Sequence, residues 1–141
     1  MTPEIAFNKY RSVLEGLKAT TLDSLDDVVS PDVHFADPLN EAEDLPKMKA
    51  IFAQLFETVT DVHYVIDDVG YSENGAYFRW ILSASLSNKP WVVKGVTHVT
   101  FDQHSRVIAH VEYWDAASQL YVRFPIIGLL LRYARRRLAV H

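Results

Sequence analysis

Trp91-Val92-Val93-Lys94-Gly95-Val96-Thr97-His98-Val99-Thr100-Phe101 places Trp91, Val93, Gly95, Thr97, Val99 and Phe101 on one face and Lys94, His98 and Thr100 on the other. A period of two is that of a β-strand with one buried side. Outward from this stretch the same period runs through residues 62–71, 76–87 and 106–114. The breaks between them, Ser72-Glu73-Asn74-Gly75, Ser87-Asn88-Lys89-Pro90 and Asp102-Gln103-His104-Ser105, are rich in turn-forming residues. Four long strands joined by tight turns predict an antiparallel meander.

The chain before the meander has helical spacing. Ile5, Tyr10, Val13, Leu14 and Leu17 predict a helix over residues 3–18, with Thr2 able to cap it and Pro3 at its first position. Leu22, Leu25, Val28 and Val29 predict a short second helix over 21–29, ended by Ser30-Pro31-Asp32. A third is expected over 45–59, burying Met48, Ile51, Phe52, Leu55 and Phe56. After Asp115 a helical pattern breaks near Pro125 and resumes over 126–140. There Ile127, Leu130, Leu131, Ala134 and Leu138 share a face opposite Arg132, Arg135 and Arg136. Helices followed by a bent antiparallel sheet predict an α+β fold, a cone-shaped barrel of curved sheet wrapped around the N-terminal helices, with an additional C-terminal helix. One domain over 1–141 is expected, with 1–115 as the cone core and 116–141 as the helical extension.

Composition sets the outer bounds. Of 141 residues, 49% are apolar, enough for a sizeable core. The formal charge of -4 argues against broad nucleic-acid binding. It is unevenly spread: residues 1–75 carry fifteen acids and five bases, and residues 76–141 three acids and nine bases. There is no cysteine, so disulfides, zinc thiolates and cysteine nucleophiles are excluded. Six histidines lack His-x-His or His-Glu-x-x-His spacing, so no metal is expected. No Gly-rich phosphate loop or nucleophile elbow occurs, and no cofactor is expected. The opening Met1-Thr2-Pro3-Glu4 does not read as a signal peptide, and a cytoplasmic protein is the default expectation.

Val33-His34-Phe35-Ala36-Asp37-Pro38 carries the first chemical signal. Alternation puts Asp37 on the face of Val33 and Phe35, where a carboxylate needs partners or serves as a proton acceptor. Two readings stand for Asp37: a binding or catalytic carboxylate, or a cap on the backbone N–H groups of the loop after Pro38.

Phe35-Ala36-Asp37-Pro38 after two helices, the stretch from Trp91 to Phe101, and Val107-Ile108-Ala109-His110-Val111-Glu112-Tyr113-Trp114-Asp115 together resemble the nuclear transport factor 2-like superfamily, with its SnoaL-like polyketide cyclases and ketosteroid isomerase. The resemblance covers nearly the whole chain and implies a cone with one open end. It implies that Asp37 stands where ketosteroid isomerase keeps its general base. Thr97 stands where that enzyme keeps a protonated carboxylic acid, and Val13 lies nearer than Tyr10 to the place of its oxyanion tyrosine. One catalytic position of three is retained. The superfamily hosts isomerases, cyclases, dehydratases, epoxide hydrolases and members without chemistry.

If Thr97 faces inward, so do Val99 and Phe101, and register turns His110, Glu112 and Trp114 inward beside Phe78 and Trp80. The expected catalytic set is Asp37, His110 and Glu112. The expected ligand-binding set is Phe35, Phe52, Phe78, Trp80, Thr97, Val99, Phe101 and Trp114. His110 and Glu112 have a structural alternative, pairing with each other or with Arg79 or Lys94. Three functions stay open: a cofactor-free acid/base enzyme acting on a small hydrophobic carbonyl, enol or epoxide compound; a non-catalytic binder of such a ligand; and a dimeric interaction module. A homodimer is expected through exposed-face residues such as Tyr77 and Ile81. The Arg-rich end reads as a solvated helix end, with contact to a membrane surface, or to nucleic acid or an acidic protein, as alternatives.

Overall fold

The computed structural model of the protein describes residues 2–139. Helix α1 (Pro3–Glu15) starts on Thr2, whose side chain accepts from the Ile5 N–H, and stops at Gly16. It buries Ala6, Phe7, Tyr10 and Leu14, while Ile5 is exposed. The expected second helix is a 3₁₀ turn, Leu22–Asp27, which buries Leu25. Strand β1 (Val29–Ala36) follows, and Asp37 lies just past its end rather than within it. The loop after Pro38 contains a two-residue strand, β2 (Glu41–Ala42), paired antiparallel with β1. Helix α2 (Leu45–Thr58) is capped by Asp44, which accepts from the Lys47 N–H.

The meander forms as its alternation requires: β3 (Val59–Ser72), β4 (Gly75–Leu86), β5 (Lys89–Phe101) and β6 (Val107–Trp114). Ser87 and Asn88 have φ of 52° and 63°, so a two-residue turn with the hand that suits twisted strands closes β4 onto β5. The sheet order is β2-β1-β6-β5-β4-β3. All pairs are antiparallel except β1 with β6, which run parallel and bring Phe35 opposite His110 and Ala36 opposite Val111. The sheet curves around α1 and α2, making the expected α+β cone.

Its narrow end is filled by α1. Phe7 packs on Phe78 at 5.1 Å between ring centres and edge-on against Tyr71. At the other end, helix α3 (Ala116–Gln119), a 3₁₀ turn (Tyr121–Arg123) and helix α4 (Pro125–Leu138) follow β6. Gln119 exchanges two hydrogen bonds with the Lys94 backbone, and the Trp91 indole N–H donates to the Gln119 carbonyl, fastening this extension to β5. The expected last residue of the final helix, Val140, lies outside the described residues. On α4 only Gly128 is buried and Leu131 half-buried, so most of the apolar face expected to pack is exposed.

Candidate functional site

A cavity of about 270 Å³ opens at the wide end of the cone. Exposed Leu39, Asn40, Gln54 and Thr58 stand at its rim. Its walls are largely apolar. Ile51, Phe52, Leu55 and Phe56 of α2 turn into it, which is why they are only half-buried although their spacing marks a core stripe. All three tryptophans of the chain, Trp80, Trp91 and Trp114, line it. Gly95 makes room for two of them: a Cβ there would meet Trp80 Cζ2 at 2.5 Å and Trp114 Cβ at 3.0 Å.

The ionisable groups of the wall come from β3, β6 and the end of β1. His110 on β6 is 1% exposed and hydrogen-bonded on both ring nitrogens. Its Nδ1 lies 2.7 Å from the Tyr10 hydroxyl on α1, and its Nε2 lies 2.8 Å from Glu112 Oε2. Burial, reinforced by the charge of Glu112, pushes the Tyr10 pKa well above its ordinary value, so this hydroxyl keeps its proton. Among the described residues Nδ1 is its only partner, so Tyr10 donates there and Nε2–H donates to Glu112. Phe35 stacks on the imidazole at 5.1 Å, and Phe52 and Phe78 meet it edge-on. The ring is held by two hydrogen bonds and an aromatic box, and Glu112, with its side chain 15% exposed, is aimed by it.

Asp37 reaches the same cavity from the end of β1. Its Oδ1 accepts from the backbone N–H groups of Leu39 and Asn40, each at 2.7 Å. The loop-capping contact therefore exists, and it fixes the carboxylate at the cavity wall. Glu112 lines the same cavity, so two carboxylates, Asp37 and Glu112, stand among its mostly apolar walls.

Tyr64 on β3, absent from the sequence reading, also lines the cavity, its ring tilted against Trp80 at 5.7 Å. Burial, with the charges of Glu112, Tyr10 and Glu15 adding, pushes its pKa well above the ordinary value, so it stays a protonated donor. Among the described residues its hydroxyl makes no hydrogen bond. The signal was its alternation with Val62 and Ile66 on the inner face of a strand.

Four expected ligand residues lie elsewhere. Thr97 is fully buried, and its hydroxyl accepts from the Trp80 indole N–H at 2.8 Å, so it orients a wall residue rather than a ligand. Phe78, Val99 and Phe101 face inward as expected but belong to the packed core below the cavity, where α1 fills the cone. Phe35, Phe52, Trp80 and Trp114 do line it. Arg79 pairs with Asp67 on the outer face at 2.9 Å and takes no part in the His110 network. Among the described residues no three His, Asp or Glu side chains converge as a metal would need.

The model of the SnoaL-like domain family matches residues 10–110. The chain belongs to this family. No curated protein sequence matches it. Solved structures share the fold. A candidate SnoaL-like polyketide cyclase from Jannaschia sp. CCS1 is 18% identical with a TM-score of 0.72, over 80% of this chain and 87% of that one. A Catenulispora acidiphila protein of ketosteroid isomerase-like fold, in complex with trimethylamine, is 14% identical with a TM-score of 0.69, over 85% and 92%. An LEH-like epoxide hydrolase of M. tuberculosis is 11% identical with a TM-score of 0.68, over 89% and 95%. At such identities the likeness is one of fold.

Proposed function

We propose that this SnoaL-like domain binds a small, mostly apolar molecule bearing one oxygen function and acts on it by cofactor-independent acid/base chemistry. The supporting observation is the meeting, in one mostly apolar cavity, of a hydrogen-bond donor, Tyr64, and two carboxylates, Asp37 and Glu112. The Tyr64 hydroxyl donates to a carbonyl, enol or epoxide oxygen of the ligand. Asp37, fixed by its loop, takes a proton from carbon or from a water. Glu112, aimed by His110 and Tyr10, stays ionised as a hydrogen-bond acceptor, and the proton held by Asp37 is the one returned at a neighbouring atom. The donor replaces the oxyanion group that Thr97 does not provide. An apolar wall strengthens each of these interactions by excluding water.

At about 270 Å³ the cavity sits at the lower edge of the roughly 300–1,000 Å³ of small-molecule sites, which favours a compact ligand over a steroid-sized one. A second reading, a binder without chemistry, draws on the two backbone bonds that Asp37 already makes. Asp37→Asn separates the two: loss of turnover with retained binding supports the enzyme, and unchanged turnover removes Asp37 from the chemistry. The proposal includes a homodimer through the outer sheet face, where Val65, Tyr77, Val96 and Tyr113 stand exposed. Sedimentation velocity tests it.

A further inference from the structure

We infer that α4 is a membrane-surface helix that docks on anionic lipid. Ile126, Leu129, Leu130 and Tyr133 follow the i, i+3, i+4, i+7 spacing of one helix face, and they are 75%, 64%, 60% and 59% exposed for Ile126, Leu130, Leu129 and Tyr133 respectively. Phe124, just before the helix, is exposed too. The opposite side of α4 is the one that packs: Gly128 is buried, Leu131 is half-buried, and Arg135 donates to Ser118 of α3. The stripe is thus a second apolar face, left uncovered by the fold, on a helix about 20 Å long.

Charge favours an anionic bilayer over the pairing of α4 with itself. From Ala116 to the end the chain contains five arginines and no acid. Arg132 and Arg136 lie along one edge of the stripe, and Arg137 follows it at the helix end. A second copy pairing α4 against α4 would bring these arginines together without a carboxylate between them. An anionic bilayer surface instead accepts the aliphatic side chains among its acyl chains and the guanidinium groups at its phosphates. None of the described helices is long and apolar enough to cross a membrane, so α4 lies along the surface. The inference rests on the helix and not on any reaction in the cavity.

The test is flotation of the full chain with vesicles of phosphatidylcholine, with and without phosphatidylserine. The wild type floats with the anionic vesicles and loses them as salt rises. Leu129→Ser with Leu130→Ser, and separately Arg132→Gln with Arg137→Gln, each weaken binding roughly tenfold or more while melting like the wild type, since these side chains are exposed. Absence of flotation, or equal flotation with both vesicle types, overturns the inference. So does a dimer in the ultracentrifuge that the leucine pair of substitutions dissociates, which would give the stripe to a second copy.

Discussion

The Tyr10 hydroxyl stands 2.7 Å from Nδ1 of His110, joining the first helix to the last strand across 100 residues of sequence. The contact fixes the proton on Nε2 and thereby aims Glu112. Tyr10→Phe leaves a buried ring nitrogen without its donor, at a cost of about 1–3 kcal/mol in denaturant unfolding. Nitrogen NMR of the wild type gives an Nε2–H tautomer for His110, which the Glu112 carboxylate keeps in the variant while the Nδ1 signal shifts with the loss of its donor.

Asp37→Asn keeps an oxygen that accepts from the Leu39 and Asn40 N–H groups, so the loop stays in place and stability changes little. A lost proton acceptor lowers turnover by about 10²–10⁴. Thermal melting and ligand titration beside the rate assay separate the two effects.

Tyr64→Phe removes the donor and leaves the ring against Trp80. Affinity for an oxygen-bearing ligand falls by about 1 kcal/mol or more, whereas that for its hydrocarbon analogue is unchanged. Calorimetric titration of both compounds checks the difference.

Gly95→Ala forces a methyl against the Trp80 and Trp114 side chains. One tryptophan moves into the cavity or the strands part, at a cost of about 1–3 kcal/mol. Shifted tryptophan emission with weakened binding is the expected pair of observations.

Asp115 gives the pH dependence a sign. Its hydrogen bonds from the Ser118 hydroxyl and backbone N–H cap α3 and hold its carboxyl below the ordinary value, with Arg135 adding. A folded pKa below the unfolded one contributes stability in full above the ordinary carboxylate pKa of about 4 and loses it as pH falls through the folded value. Asp115→Asn therefore flattens the fall in melting temperature at acid pH and changes its slope little near neutrality.

Alternation carried most of the fold. Phe78, Trp80, Leu82 and Ala84 faced inward, as did His110, Glu112 and Trp114, because a one-residue slip would have exposed every one of them. How far α1 sinks into the cone was not legible, because depth is set by packing between elements and not by period. Phe7, outside the expected stripe, fills the narrow end and covers Phe78, which the cavity wall therefore lacks. Tyr10 was placed on the buried face of its helix, but a hydrogen bond across 100 residues leaves no mark in local sequence. Thr97 faced inward as read, and only the position of the Trp80 ring revealed that its hydroxyl was already taken.

A fluorescence titration with small ketones, phenols and epoxides tests the central claim most directly, since Trp80, Trp91 and Trp114 are all the tryptophans of the chain and all line the cavity. The account predicts saturable quenching by one such class, weakened in Tyr64→Phe; no saturable response to any of them would contradict it.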